Sequence, residues 1–286
     1  MRDTSDLPVA STNTAQLAAW DGDEGDYWAT HADQYDAAVA GYHQPLLELA
    51  GIGHTDSVLD IGCGTGRTTR DAARRAAAGS AMGIDLSAHM LDVARSKAQH
   101  EGVQNAVFVH GDAQIYLFEP ESFDVALSRT GTMFFGDPAA AHANIRRALR
   151  PGGRLAVAVW QPRSENEWFT SFVQALSAGR QLPHPPPGAP NPFSLGEPKH
   201  AKALLMAAGF EGIAFHEASR AMIFGATAQA AYDFVLGQLG WLVANLDETS
   251  RQIALKALMR TMQEHQTADG VQFGFAMWLI SARRVS

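Results

Sequence analysis

Between residues 58 and 160, short apolar runs alternate with longer segments in which apolar positions recur every three to four residues. The runs Val58 to Ile61, Ala81 to Asp85, Ala106 to His110, Phe123 to Ser128 and Leu155 to Trp160 read as buried strands. Thr68 to Ala78, His89 to Glu101 and Ala139 to Leu149 read as the helices between them. This alternation predicts an α/β fold with a parallel sheet covered on both faces. Upstream, residues 1 to 18 read as frayed, and Asp23 to Val39 and His43 to Gly51 carry helical patterns that form a cap. Downstream the pattern breaks into a short helical segment, Asn166 to Ser177, and a proline-rich stretch, Leu182 to Pro192, too stiff for regular structure. A helix from Lys199 to Ala208 ends at Gly209 and is followed by a strand, Gly212 to Ile223. Helices at Ala228 to Leu246 and Glu248 to His265 then precede an alternating, β-branched and aromatic last strand, Val271 to Ala282. One domain is expected over 1–286: a cap at 1–50, a core at 51–160, a proline-rich insertion at 161–200, and a C-terminal part at 201–286 carrying a helical lid at 226–266.

Composition narrows the chemistry. Hydrophobic residues make up 46% of 286, ample for a buried core. The single cysteine, Cys63, rules out an internal disulfide and a cysteine-based zinc site, and no metal site is expected. A formal charge of −8 without any Lys/Arg run argues against a nucleic-acid partner, which demands a basic surface. A polar, acidic N-terminus and the lack of an 18-residue uncharged hydrophobic stretch indicate neither secretion nor membrane spanning, so the expectation is a cytoplasmic protein.

The most informative segment is Val58-Leu59-Asp60-Ile61-Gly62-Cys63-Gly64-Thr65-Gly66, where a strand runs into three glycines spaced two apart. Glycine tolerates positive φ and leaves room for a ligand, so the chain can turn sharply and expose amides at the positive end of the next helix. The dinucleotide fingerprint G-x-G-x-x-G spaces its second and third glycines three apart, whereas here the pattern is D-x-G-x-G-x-G. An acid, Asp85, follows 19 residues after Gly66 at the end of the second strand, where a carboxylate would meet a ribose diol. The third strand ends in Gly111-Asp112-Ala113 and the fourth leads into Ser128-Arg129-Thr130-Gly131. Ala148-Leu149-Arg150-Pro151-Gly152-Gly153-Arg154-Leu155 supplies a helix end, a turn and a buried strand.

In this order the five elements resemble the class I S-adenosylmethionine-dependent methyltransferases, with the small-molecule branch of the ubiquinone/menaquinone-biosynthesis type nearest in pattern. The match is specific from about 56 to 160. The resemblance implies a Rossmann-like, doubly wound, seven-stranded, mostly parallel sheet with an antiparallel last strand. It implies S-adenosyl-L-methionine as cofactor, S-adenosyl-L-homocysteine as product, and Asp112 near the adenine amino group. Cofactor contacts are carried to Asp60, Gly62, Cys63, Gly64, Gly66, Asp85, Leu86, Met90, Asp112, Ala113, Ser128, Arg129 and Tyr35. Cys63 reads as a small packing residue rather than a nucleophile. For Arg129, a salt bridge with a nearby carboxylate stands level with a contact to cofactor or substrate.

Substrate choice is expected in the three additional segments, because ligands lie beyond the carboxyl ends of the strands. Tyr27, Trp28, His31 and Tyr35 fall at helical spacing and give the cap an aromatic and ionisable face, against which plain aromatic burial remains the alternative. Tyr27, Trp28, Trp160 and Trp168 are the expected acceptor contacts, and Phe169, Phe172, Trp241 and Leu242 give the lid an apolar character suited to a natural-product or lipid-like acceptor, a core or a dimer interface. The Asn/Asp-Pro-Pro-aromatic motif of base N-methylation is missing after the fourth strand. His31, His43 and Glu167 are the candidates for a general base, and a well-positioned nucleophile needs none. The expected partner is a small-molecule acceptor, with homodimerisation open. Two other readings share the fold: a regulatory protein that binds S-adenosylmethionine or S-adenosylhomocysteine without turnover, and a nicotinamide-dependent oxidoreductase, which the glycine spacing opposes.

Overall fold

The computed structural model of the chain describes residues 7–181, 186 and 188–285. The N-terminal part consists of α1 (Thr14–Trp20), α2 (Asp23–Thr30), α3 (Ala32–Ala38) and α4 (Ala40–Ala50). The core then alternates: β1 (Ser57–Ile61), α5 (Arg67–Arg75), β2 (Ser80–Asp85), α6 (Ala88–His100), β3 (Ala106–His110), β4 (Phe123–Arg129), α7 (Pro138–Ala148) and β5 (Leu149–Trp160). The last part holds α8 (Glu167–Leu176), α9 (Pro198–Ala207), β6 (Phe210–Gly225), α10 (Ala228–Leu239), α11 (Glu248–Glu264), β7 (Gln266–Thr267) and β8 (Gly270–Arg284).

The strand order is β3-β2-β1-β4-β5-β8-β6, with two-residue β7 pairing on β8. β1 to β5 run parallel, and β8 is antiparallel to both neighbours, β5 and β6. Seven strands form the main path, as the sequence implies, and β7 adds only a hairpin end. Val58, Leu59, Val125, Ala126 and Leu127 are fully buried, the signature of a sheet covered on both faces. Helix starts follow local chemistry: Ser87, Asp137, Thr227 and Asp247 each accept an amide hydrogen bond at the first turn of α6, α7, α10 and α11. Gly51, at φ 57°, closes α4. The order reverses between β1 and β4, so a crevice opens where these two strands end.

Three local expectations change. Residues 1–6 lie outside the described residues, but the rest of the stretch read as frayed is ordered: a single 3-10 turn, Ser11–Asn13, precedes α1, and Asn13 is buried. Hydrogen bonds to distant loops fix this segment, and no local pattern reports them. The helix expected from Asp23 to Val39 breaks at His31, whose φ of −108° is not helical. The insertion helix expected over Ala228 to Leu246 ends at Leu239 and continues as a 3-10 turn, Gly240–Leu242. Of the proline-rich stretch, residues 182–185 and 187 lie outside the described residues; 186 and 188–192 form neither helix nor strand. Among the described residues no helix is long and apolar enough to cross a membrane.

Candidate functional site

The β1–α5 turn is built on its glycines, with Gly62, Gly64 and Gly66 at φ 64°, 52° and 76°. A Cβ on Gly62 would lie 2.9 Å from the Cα of Gly131, so the turns after β1 and β4 touch backbone to backbone. A Cβ on Gly64 would stand in the crevice, 3.6 Å from Met90 Sδ. Gly66 serves packing instead, since its Cβ would strike Phe108 and Ala94. Ser128 ties the two strands: its Oγ donates to Ile61 O at 2.7 Å and accepts from Gly131 N at 3.2 Å.

These turns open into a cavity of about 1010 Å³ that extends under the cap and lid. Of the expected cofactor contacts, Gly62, Cys63, Gly64, Asp85, Leu86, Met90, Asp112, Ala113, Arg129 and Tyr35 line it; Asp60, Gly66 and Ser128 do not. Of the expected acceptor contacts, Tyr27, Trp28, Trp160 and Trp168 all line it, as do Phe169, Trp241 and Leu242. Phe172 instead packs in the core against Phe224 and Phe273. Trp28 stacks on Tyr35 and Tyr27 on His31 across the helix break, so the aromatic face survives it.

Asp85 is held by the turn it serves, its Oδ2 accepting from Gly64 N at 2.7 Å and its Oδ1 from Ser87 N at 2.9 Å. Burial raises its pKa, and these backbone amides pull it back toward the charged form. Cys63 is buried, and burial together with Asp85 and Asp60 pushes its thiol well above the ordinary range, which disfavours a thiolate nucleophile.

Asp60 sits behind the turn, fully buried. Its Oδ2 accepts from Thr69 Oγ at 2.6 Å, while its Oδ1 has no partner. Burial pushes its carboxyl up to about 7 against the opposing pull of Thr69 and Arg129. A folded-state pKa above the unfolded one stabilises the fold at low pH, and that contribution fades as pH rises from about 4 through about 7. Relative to Asp60→Asn, the wild-type protein is therefore expected to lose up to about 1.4 kcal/mol of stability per pH unit over that window. Parallel denaturant titrations of the two proteins at pH 5, 6 and 7 check this, and identical pH slopes would refute it.

Asp112 is enclosed by the N-terminal segment. Its Oδ2 accepts from Ala10 N at 2.9 Å and its Oδ1 from Asn13 Nδ2 at 2.8 Å and Gln114 N at 2.9 Å. Asn13 Oδ1 in turn accepts from Gly136 N at 2.6 Å, so one buried amide bridges the loops after β3 and β4. Asn13→Ala leaves a buried carboxylate and an amide short of partners and is expected to cost about 1–3 kcal/mol. Thermal denaturation should show a drop of several degrees; a change within error would mean that water replaces the amide.

The three candidates for a general base lie outside the cavity lining, each engaged elsewhere. His31 Nδ1 is 2.8 Å from Tyr27 O, and Glu167 Oε2 accepts from Gly274 N at 2.6 Å. His43 Nε2 is 2.9 Å from Asp71, whose carboxyl, despite burial that would raise it, is held far below the ordinary range by hydrogen bonds from His43 and Arg67. Arg129, left open between two roles, forms the salt bridge, with Nη2 2.7 Å from Asp36 Oδ1, and also lines the cavity. Asp36, Asn13 and Gln238 are lining residues that the sequence did not single out. Each meets its partner across 93 or more residues or sits in a helix with no distinctive spacing, so no local signal marks them. Among the described residues no group of three or more acidic, His or Cys side chains could hold a metal ion.

Residues 58–153 match the model of a family described as a methyltransferase domain. The chain is 37% identical over 123 residues to a demethylmenaquinone methyltransferase of Lactococcus lactis subsp. lactis, covering 43% of this chain and 47% of that protein. It is 35% identical over 133 residues to a ubiquinone/menaquinone biosynthesis C-methyltransferase of Stutzerimonas stutzeri, covering 46% and 52%. It thus spans about half the length of these relatives. In fold it is similar to the YcgJ protein of Bacillus subtilis, with a TM-score of 0.58 and 19% identity over 85% of this chain and 98% of that one. The family match runs from β1 into β5, and the likeness to the YcgJ protein is one of fold.

Proposed function

We propose that the protein moves the methyl group of S-adenosyl-L-methionine to a small-molecule acceptor. The observation that carries this is the continuity of one cavity from the glycine turn, Asp85 and Asp112 to the aromatic wall formed by Trp160, Trp168 and the lid. The glycine turn fits the cofactor, because the positive-φ residues Gly62 and Gly64 put backbone rather than side chain on the cavity surface. In this reading Asp85 takes the ribose hydroxyls, Asp112 the adenine end, and Arg129 and Tyr35 the boundary with the acceptor. When bound, the cofactor supplies an electrophilic methyl group on a sulfonium.

The chain's own contribution is positioning and the exclusion of water. Trp28, Tyr35 and Trp160 present electron-rich rings to the cavity, which favour a cation over water by cation–π attraction. Tyr27 anchors the cap on the lid, its hydroxyl donating to Phe234 O at 2.9 Å. Burial pushes that phenol up to about 12, so it remains a donor across the neutral range. His31, His43 and Glu167 stand outside the lining, and in-line alignment of an already nucleophilic acceptor atom needs none of them as a base. The two quinone-biosynthesis relatives support an acceptor of similar character, a small organic molecule. Release of S-adenosylhomocysteine from S-adenosylmethionine is expected only when an acceptor is added, and Trp168→Ala should raise the acceptor KM with little change in cofactor affinity. Binding of cofactor without turnover across a broad panel of phenols, quinols and enols would favour a ligand-sensing protein.

A further inference from the structure

We infer that the acceptor is an uncharged, largely apolar molecule carrying a hydrogen-bond-accepting oxygen, and that Gln238, oriented by Tyr35, recognises that oxygen. This rests on the methyltransferase reading and narrows its acceptor.

Beyond β5, the lining is contributed by α8, the loop after it, β6, α10 and the turn that follows, and it is dominated by side chains such as Trp168, Phe169, Phe193, Phe224 and Phe234. Among the described residues of this half only Arg163, Asn191 and Gln238 bring a charged or amide group. Asn191 is used up within its own turn, its Nδ2 donating to Ala189 O at 2.8 Å and its Oδ1 accepting from Phe193 N at 2.9 Å. Arg163 lies over the Phe169 ring, 5.0 Å from its centroid. Gln238 differs: its Oε1 accepts from the Tyr35 hydroxyl at 3.2 Å, while its Nε2 is buried without a partner.

A buried amide donor left unpaired is costly, and such groups are rare in folded proteins. Because the Tyr35 hydroxyl takes the oxygen end, the free end of the amide is donor only, and its match is a carbonyl, ether or hydroxyl oxygen. As folded, the nitrogen is covered by its neighbours; an entering acceptor reaches it by displacing them while Oε1 stays on the Tyr35 hydroxyl. The position suits selection, since α10 meets α2 here through Tyr27 and Phe234, and the amide lies where lid and cap close.

The test uses the full chain saturated with S-adenosylhomocysteine and compares 1-tetralone with tetralin, which lacks the carbonyl, and with 1-naphthoate, by saturation-transfer NMR titration. Wild type is expected to prefer the ketone over the hydrocarbon by about five- to tenfold. The preference should fall to near one in Gln238→Leu and in Gln238→Glu, which keeps an oxygen for Tyr35 but loses the donor. Equal binding of ketone and hydrocarbon to wild type, a preference that persists in both variants, tighter binding of the naphthoate, or no binding of any probe would each overturn the inference. Failure of wild type to bind S-adenosylhomocysteine in the first step would instead overturn the cofactor reading beneath it.

Discussion

Asp85→Ala is expected to weaken binding of S-adenosylhomocysteine about a hundredfold or more. A carboxylate paired with two ribose hydroxyls forms two charge-assisted hydrogen bonds, each contributing about 1.5–3 kcal/mol, and every 1.4 kcal/mol is tenfold in affinity. The same carboxylate accepts from Gly64 N and Ser87 N, so its loss also loosens the β1–α5 turn. Asp85→Asn keeps the size and one acceptor and should retain more affinity than Ala. Calorimetric titration of both variants, with far-UV circular dichroism to verify folding, checks the order wild type, Asn, Ala. A folded Asp85→Ala protein that binds as tightly as wild type would remove Asp85 from the site.

The second large effect is on stability. Arg129 and Asp36 tie the end of β4 to α3 in the cavity wall, with side chains only 15% and 10% exposed. Burial alone would lower the Arg129 pKa, and Asp36, with Tyr42 and Asp60, more than offsets it. Removing one partner of such a pair leaves an uncompensated charge; the cost is about 3–5 kcal/mol for a fully buried pair and about 2–3 kcal/mol once partial exposure is allowed for. Arg129→Met is therefore expected to lower Tm by roughly 5–10 °C, at about 2–4 °C per kcal/mol for a protein of this size. Adding Asp36→Asn to Arg129→Met should restore most of the loss, because it removes the stranded charge. Additive losses in the double variant would show that each residue acts through other contacts.

The sheet was legible because its central strands, β1 and β4, are buried on both faces and so appear as apolar runs bounded by turns. The glycine turn of the cavity was legible for a related reason: a backbone that must turn sharply and touch Gly131 requires glycine at Gly62, and that requirement is written locally. The contacts that close the cavity were not. Asn13 acts on Asp112 from 99 residues away and Tyr35 on Gln238 from 203, and neither amide has a neighbour in sequence that marks it. The helix break at His31 was hidden because Tyr27, Trp28, His31 and Tyr35 keep helical spacing through it, and the rings stack across the break. The candidate bases lie outside the cavity for the same reason: a histidine or glutamate can take many partners, here Tyr27 O, Asp71 and Gly274 N, and spacing does not say which one it takes.

The most direct test of the central claim is calorimetric titration of S-adenosylhomocysteine into the wild-type protein, with NADH as the competing ligand. The cavity built on Gly64, Asp85 and Asp112 predicts binding at one site per chain that NADH does not displace. Binding of NADH with no response to S-adenosylhomocysteine would contradict it.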